Sequence, residues 1–106
     1  MNQTNLIFMQ GSVVEEDVQL TLVELCQACS AEADHVMTWV YEGVLEPVGE
    51  SPPDWRFGGD SLRRARLARR LAHDLEINPP GVALALDLLD QLAELRARIR
   101  LAESGR

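Results

Sequence analysis

The feature that most constrains the fold is a long amphipathic helix at the end of the chain. Asn78-Pro79-Pro80 is a strong helix start, because an asparagine cap precedes prolines at positions whose amides have no helical partner. The pattern predicts about twenty or more helical residues, to near Glu103. Within them, apolar residues alternate at spacings of three and four, which is a heptad seam: Ala85, Leu88, Leu92, Leu95, Ile99 and Ala102. Because a short chain offers little to cover its second half, we predict dimerisation through Leu88, Leu92, Leu95 and Ile99.

The composition fits a single domain with a hydrophobic core. Hydrophobic residues make up 46% of the 106 residues and charged residues 25%. No apolar run reaches the length of about 18 residues that spans a membrane, and no basic region of a signal peptide is present. Two cysteines do not make a disulfide framework and suit a reducing compartment as thiols. We therefore expect a cytoplasmic protein without membrane association.

Charge is distributed unevenly along the chain. The formal net charge is −7, yet residues 1–55 contain ten acidic residues and no basic one, and all ten basic residues are arginines that follow. An acidic first half repels phosphate, which weighs against nucleic acid as a direct ligand. Two interpretations remain for this acidic surface: a docking site for a basic protein partner, or a solvated face without a partner.

Two short helices are predicted in the acidic half. Thr21 and Glu24 match a capping box, which begins the first helix at Leu22 and carries it to about Cys29. Ser30 is the predicted cap of a second helix, which ends before Gly43. Two short helices joined by such a brief connection form a helix–turn–helix.

A hairpin and a third helix are predicted next. Residues 44–48 and 54–57 flank a loop rich in proline and glycine, which predicts a short β hairpin, or wing. Asp60 or Ser61 can cap the third helix. Its predicted buried stripe contains Leu67, Leu71 and Leu75.

The arginines of the third helix form a basic cluster: Arg63, Arg64, Arg66, Arg69 and Arg70. We interpret them as a solvated helix face or as partners in salt bridges within a dimer. Contacts to a nucleic-acid backbone or to acidic parts of a protein partner are the alternatives.

No group of residues indicates catalysis, a metal or a cofactor. His73-Asp74 has no nucleophile or oxyanion donor set beside it. Cys26 and Cys29 form a lone CxxC without a βαβ context, and a zinc site would need both His35 and His73 as further ligands. We interpret the cysteines as small buried hydrophobic residues, with a thiol or zinc sensor as the alternative. The sequence therefore predicts a protein that is not an enzyme, with no metal ligands and no cofactor.

Four segments of the chain resemble the CbpM family of chaperone modulators, which has a MerR-like fold. They are residues 20–26, 41–47, 55–57 and 69–90, within a resemblance that spans residues 18–103. The most specific part is Pro80-Gly81-Val82-Ala83-x-Ala85-Leu86 at the start of the last helix. The resemblance implies a mainly α, MerR-like winged helix–turn–helix with a short β hairpin and a long C-terminal helix. We accordingly divide the chain into a weakly ordered segment with a short strand (1–17), the winged helix–turn–helix with its third helix (18–78) and the dimerisation helix (79–106).

The resemblance also implies a function. Proteins of this family are dimeric, non-enzymatic regulators that bind the J-domain of a CbpA/DnaJ-like co-chaperone. They inhibit its stimulation of the Hsp70 chaperone DnaK, and inhibition of its DNA binding is a further implied effect. The alternative is a MerR-family transcriptional regulator that binds DNA directly, a role that the acidic second helix disfavours.

Candidate partner-binding residues lie on or just after that second helix. J-domains carry a basic helix that contacts Hsp70, so acidic side chains are the expected complement. Tyr41 is added as an exposed aromatic anchor, since tyrosine is frequent among interface hot spots. The predicted set is Glu32, Asp34, Tyr41, Glu42 and Glu46.

Overall fold

A computed structural model of the chain describes residues 18–105. These residues form four α-helices and one short 3-10 helix at Pro52–Asp54; the α-helices are α1 (Leu22–Cys29), α2 (Ala33–Tyr41), α3 (Gly59–Asp74) and α4 (Pro79–Ser104). None of the described helices combines the length and apolar character needed to cross a bilayer. The predictions for residues 1–17 lie outside the described residues.

The connection between α1 and α2 differs from the predicted one. The capping box of α1 is confirmed: Glu24 N donates to Thr21 Oγ1 at 3.1 Å, and Thr21 N donates to Glu24 Oε1 at 2.8 Å. The prediction that Ser30 caps α2 is wrong, because Ser30 adopts a left-handed conformation (φ 56°) and ends α1. Glu32 is the N-cap residue of α2 and makes no side-chain capping bond. The two helices thereby pack as a helix–turn–helix.

The predicted β hairpin is wrong for the described residues, which contain only two isolated antiparallel bridges. Val48 and Arg56 exchange backbone hydrogen bonds of 3.0 and 2.9 Å, and Leu20 and Phe57 exchange bonds of 2.8 and 2.7 Å. Phe57 therefore pairs with the segment before α1 rather than across the loop. Neither bridge extends into a ladder among the described residues.

The core lies where α1, α2 and the loop residues meet α3 and the start of α4. The buried residues of α3 include Leu62, Ala65 and Ala68, so the small alanines bring this helix close to the domain. The predicted stripe is therefore only partly correct. Leu67 and Leu71 are partly buried, but Leu75 is 64% exposed because it follows the end of α3.

The helix α4 leaves the domain after its first turns. The predicted start is confirmed: Gly81 N donates to Asn78 Oδ1 at 2.8 Å, and the helix continues for 26 residues. Val82 and Leu86 are buried, and they fix the start of α4 against the domain. The heptad seam beyond them is exposed, at 50% for Leu88, 45% for Leu92, 53% for Leu95 and 57% for Ile99.

Two glycines with positive φ provide a test of the loops around α2 and the 3-10 helix. Gly49 has φ +128°, and a Cβ there would lie 2.6 Å from the Asp54 carbonyl oxygen. We expect Gly49→Ala to lower the free energy of unfolding by about 2–4 kcal/mol, measured by urea denaturation. Gly43 is the matched control, because it has φ +80° with nothing within 4 Å. Gly43→Ala should cost only about 1 kcal/mol; equal effects at both glycines would contradict the steric argument.

Candidate functional site

An acidic groove opens between the end of α2, the start of α3 and α4. Its volume is about 690 Å³. Among the described residues that line it, the acidic ones are Glu42, Glu46, Asp60, Asp87 and Asp90. Arg64 is the one basic residue in this lining, so five carboxylates and one guanidinium give a net formal charge of −4. The site is therefore electrostatically suited to a cationic ligand or protein surface.

The Arg64 guanidinium belongs to the wall of the acidic groove rather than to its opening. Its Nε donates to the Val44 carbonyl oxygen at 2.7 Å, and its Nη1 donates to Asp90 Oδ2 at 2.5 Å. The Arg64 side chain is only 20% exposed as a result. At the rim, Arg63 Nη2 lies 3.4 Å from Asp60 Oδ1 in an exposed pair, which solvent screens strongly. These contacts leave the groove predominantly negative.

The predicted partner-binding residues do not form a single cluster. Glu42 and Glu46 both line the acidic groove. Glu32 lines a different groove at the other end of α2. Asp34 and Tyr41 are exposed on α2 and line neither groove; Tyr41 is 75% exposed. Glu32 and Glu42 are ten positions apart, about 15 Å along a helix, so one protein partner can cover both ends of α2.

Comparison with known proteins assigns the family. A family model described as MerR HTH family regulatory protein matches residues 20–103. A chaperone modulatory protein CbpM of Coxiella burnetii is 39% identical over 95 residues, which cover 90% of each chain. The CbpM of Pseudomonas putida is 41% identical over 80 residues, covering 76% of this chain and 79% of the relative. The chain belongs to the CbpM family. The resemblance inferred from the sequence is thus confirmed, together with its MerR-like helix–turn–helix, and the CbpM relatives are named modulatory proteins rather than enzymes.

Three acidic residues that line the acidic groove of this CbpM chain were not predicted from the sequence to belong to a site. Asp87 and Asp90 lie three positions apart on α4, and Asp60 lies in the first turn of α3. The spacing of Asp87 and Asp90 places both on one side of α4, which was a signal available in the sequence. That they face Glu42 and Glu46 depends on how α3 and α4 pack, and no local pattern contains this information.

Arg63, Arg69 and Arg70 of α3 in this CbpM chain are exposed, as expected of a solvated face, but some α3 arginines also contact the rest of the domain. Arg69 Nε donates to the Ser30 carbonyl oxygen at 2.8 Å, so it holds α3 against the turn between α1 and α2. Arg64 makes the equivalent connection to the loop after α2, and Arg63 pairs with Asp60 on its own helix. Arg66 also has an intramolecular interaction, so such contacts engage at least four of the five arginines. This arrangement weakens the alternative of an α3 surface reserved for nucleic acid.

The cysteines of the CxxC lie within the helix–turn–helix. Cys29 is buried, as predicted, and Cys26 is partly buried. Burial raises the pKa of both thiols, and the proximity of Cys26 raises the pKa of Cys29 further. The described residues contain no group of three or more His, Cys, Asp or Glu side chains that could hold a metal ion. A raised thiol pKa disfavours the thiolate, which is the reactive and metal-binding form.

The raised thiol pKa values predict a stability loss at alkaline pH. In the unfolded chain the thiols ionise around their ordinary value of 9.0, whereas the folded state keeps them neutral to higher pH. Stability is therefore fully present below pH 9 and falls as pH rises through it. Because the chain has no lysine, few other groups titrate in this range. Urea unfolding at about pH 7.5 and about pH 10 measures the loss; Cys26→Ala with Cys29→Ala should reduce it, and an unchanged loss would contradict the assignment.

Proposed function

We propose that this protein is a cytoplasmic, non-catalytic chaperone modulator that binds the J-domain of a CbpA/DnaJ-like co-chaperone. Binding inhibits the co-chaperone's stimulation of the Hsp70 chaperone DnaK, and it reduces the co-chaperone's own DNA binding as a second effect. Membership of the CbpM family supports the modulating role. The observation that carries the partner assignment is the acidic groove, with its net formal charge of −4.

Charge complementarity supplies the mechanism of inhibition. A J-domain contacts Hsp70 through a basic helix, and the same basic surface complements the carboxylates of the acidic groove. A J-domain held in this way cannot present that helix to Hsp70. Glu42 and Glu46 form the centre of the proposed interface; Tyr41 adds an aromatic contact, and Glu32 with Asp34 extends the negative surface along α2. Opposite charges also accelerate association and make it sensitive to salt.

Dimerisation through α4 is the second part of the proposal. We assign residues 18–78 to the helix–turn–helix unit that carries the groove, and residues 79–106 to the dimerisation helix. The exposed leucines of the heptad seam support this division, because a helix that leaves its domain with an apolar stripe needs a partner to cover it. A second copy supplies the same stripe, and the spacing of three and four suits helix–helix packing.

Direct DNA binding is the rival function, and the charge of α2 argues against it. A DNA-reading helix of this fold needs Arg, Lys, Asn or Gln near its start to contact bases. Here Glu32 precedes the helix, and Asp34 and His35 lie in its first turn. Glu42 and Glu46 follow the helix, so phosphates near either end would be repelled.

Calorimetric titration against a CbpA-type J-domain tests the proposal. The full-length chain is titrated at low and moderate salt, and the stimulation of DnaK ATPase activity by the full co-chaperone is measured in parallel. We expect salt-weakened binding and loss of the stimulation as the chain saturates the co-chaperone. No binding at either salt concentration, together with tight binding to duplex DNA, would overturn the proposal in favour of the transcriptional function.

A further inference from the structure

We propose that the groove at the other end of α2 binds a small aromatic carboxylate. This aromatic-anion groove lies between the α1–α2 turn, one side of α2, the last turns of α3 and Pro79, and its volume is about 510 Å³. That volume is in the range of small-molecule sites. The aromatic-anion groove shares no lining residue with the acidic groove, so the two sites are separate.

The walls of the aromatic-anion groove favour a flat apolar ligand. Ala31, Ala72 and Pro79 contribute small apolar surfaces, which leave space between the helices. On the α2 side, the exposed His35 imidazole stacks on the buried Trp39 indole, with ring centroids 6.4 Å apart and an interplanar angle of 25°. The exposed imidazole thus offers a flat face that the buried indole supports, and planar aromatic groups pack favourably on such a face.

Donor groups at the edge of the aromatic-anion groove favour a carboxylate. The bond from Arg69 Nε to the Ser30 carbonyl oxygen, 2.8 Å long, holds the guanidinium in place. The terminal nitrogens of Arg69 make no hydrogen bond among the described residues, so their N–H groups can form a paired contact to a carboxylate.

Two imidazoles and one carboxylate complete the lining. His35 and His73 add ring nitrogens that can donate, and His73 engages Asp74 Oδ1 at 3.0 Å through Nδ1, which leaves Nε2. Glu32 is the one acidic residue in the described lining. Among anionic ligands, an aromatic one with a single negative charge can contact these donors while Glu32 repels it less than it would repel a multiply charged anion.

The test uses 1-naphthoate as the probe and 1-naphthylmethanol as its uncharged control. Binding of each to the full-length chain is measured by calorimetry, with tryptophan fluorescence as a second signal because Trp39 lines the groove. We expect 1-naphthoate to bind with a dissociation constant below about 1 mM and 1-naphthylmethanol to bind about tenfold more weakly.

Two substitutions in the groove and one beside it localise the probe. Arg69→Gln removes the paired donors and should weaken 1-naphthoate binding about tenfold. Ala72→Phe fills the space between the helices and should abolish binding of both probes. Arg70→Gln is the matched control, because Arg70 is the neighbouring exposed arginine of α3 and does not line the groove.

Circular dichroism and thermal unfolding establish that each variant is folded before its affinity is compared. No binding of 1-naphthoate by the unmodified chain, equal binding of the two probes, or equal affinity in Ala72→Phe and Arg70→Gln would overturn the site. Because J-domain binding is measured separately, each of these results leaves the proposed chaperone function standing.

Discussion

Replacing both Glu42 and Glu46 by arginine is expected to weaken binding of the J-domain about 100-fold at low salt. Both carboxylates line the acidic groove, so the double variant removes two attractions and places two cations opposite a basic surface. Asp90 already accepts a hydrogen bond from Arg64, so it is not free to pair with the new arginines. The difference in affinity between the double variant and the unmodified chain should shrink as salt is added, because exposed charges are screened within about 8–10 Å at moderate ionic strength. Calorimetry at two salt concentrations measures it.

Two further double variants separate the groove from the overall charge of the protein. Glu32→Arg with Asp34→Arg makes the same charge change at the start of α2. Glu50→Arg with Glu103→Arg makes it at exposed positions that line neither groove. We expect the last variant to bind within about threefold of the unmodified chain and the α2 variant to be intermediate.

The three double variants also decide between locations of the interface. If all three double variants lost the same affinity for the J-domain, the loss would depend only on net charge. That result would contradict docking in the acidic groove. A loss confined to Glu32 and Asp34 would move the interface to the start of α2 and contradict the central role of Glu42 and Glu46. Inhibition of DnaK stimulation should follow the same order of affinities, because in the proposed mechanism the occupied J-domain cannot reach the Hsp70 chaperone.

The starts of α1 and α4 were predictable because their determinants are local, whereas the predicted caps of α2 and α3 were wrong: Glu32 and Gly58 occupy those positions. The mutual hydrogen bonds of Thr21 and Glu24, and the Asn78 cap before two prolines, involve residues at most three positions apart. The predicted β hairpin was wrong for the opposite reason. Phe57 had an adequate strand pattern, but its hydrogen-bond partner is Leu20, 37 positions earlier in the chain. Competition between two distant partners cannot be resolved from the local pattern of either segment.

The candidate site was predictable only in part for the same physical reason. The acidic run through α2 indicated a negative surface, and Glu42 and Glu46 were identified from it. The other carboxylates of the acidic groove reach it through the packing of α3 and α4. Two small residues, Ala65 and Ala68, are buried along α3 and let it approach the domain closely. The negative charge of this region was therefore predictable from the sequence, whereas the acidic groove that brings the carboxylates together was not.

Replacing Leu92 and Leu95 by aspartate is expected to convert a dimer into a monomer that remains folded. Each leucine is about half exposed in the chain, at 45% and 53%, so neither contributes much to the core of one protomer. In the proposed dimer each copy buries both leucines, so four leucine side chains are covered. Each buried leucine contributes about 1.5–3 kcal/mol, and a buried unpaired carboxylate adds a further penalty, so the dissociation constant should rise at least about 1000-fold. Sedimentation velocity over a range of protein concentrations measures the change.

Two control variants test whether the loss of the dimer comes from the heptad seam or from the added negative charge. Ala93→Asp with Leu101→Asp introduces the same charge at exposed positions of α4 outside the seam, and Leu101 is 72% exposed; this variant should remain dimeric. Leu86→Ala removes a side chain that is only 2% exposed, so it should lower the free energy of unfolding by about 2–4 kcal/mol. A monomeric unmodified chain, or a Leu92 and Leu95 variant that stays dimeric, would contradict dimerisation through this helix. The division of α4 follows from these exposures: Val82 and Leu86 belong to the domain, and the leucines after them are available to a second copy.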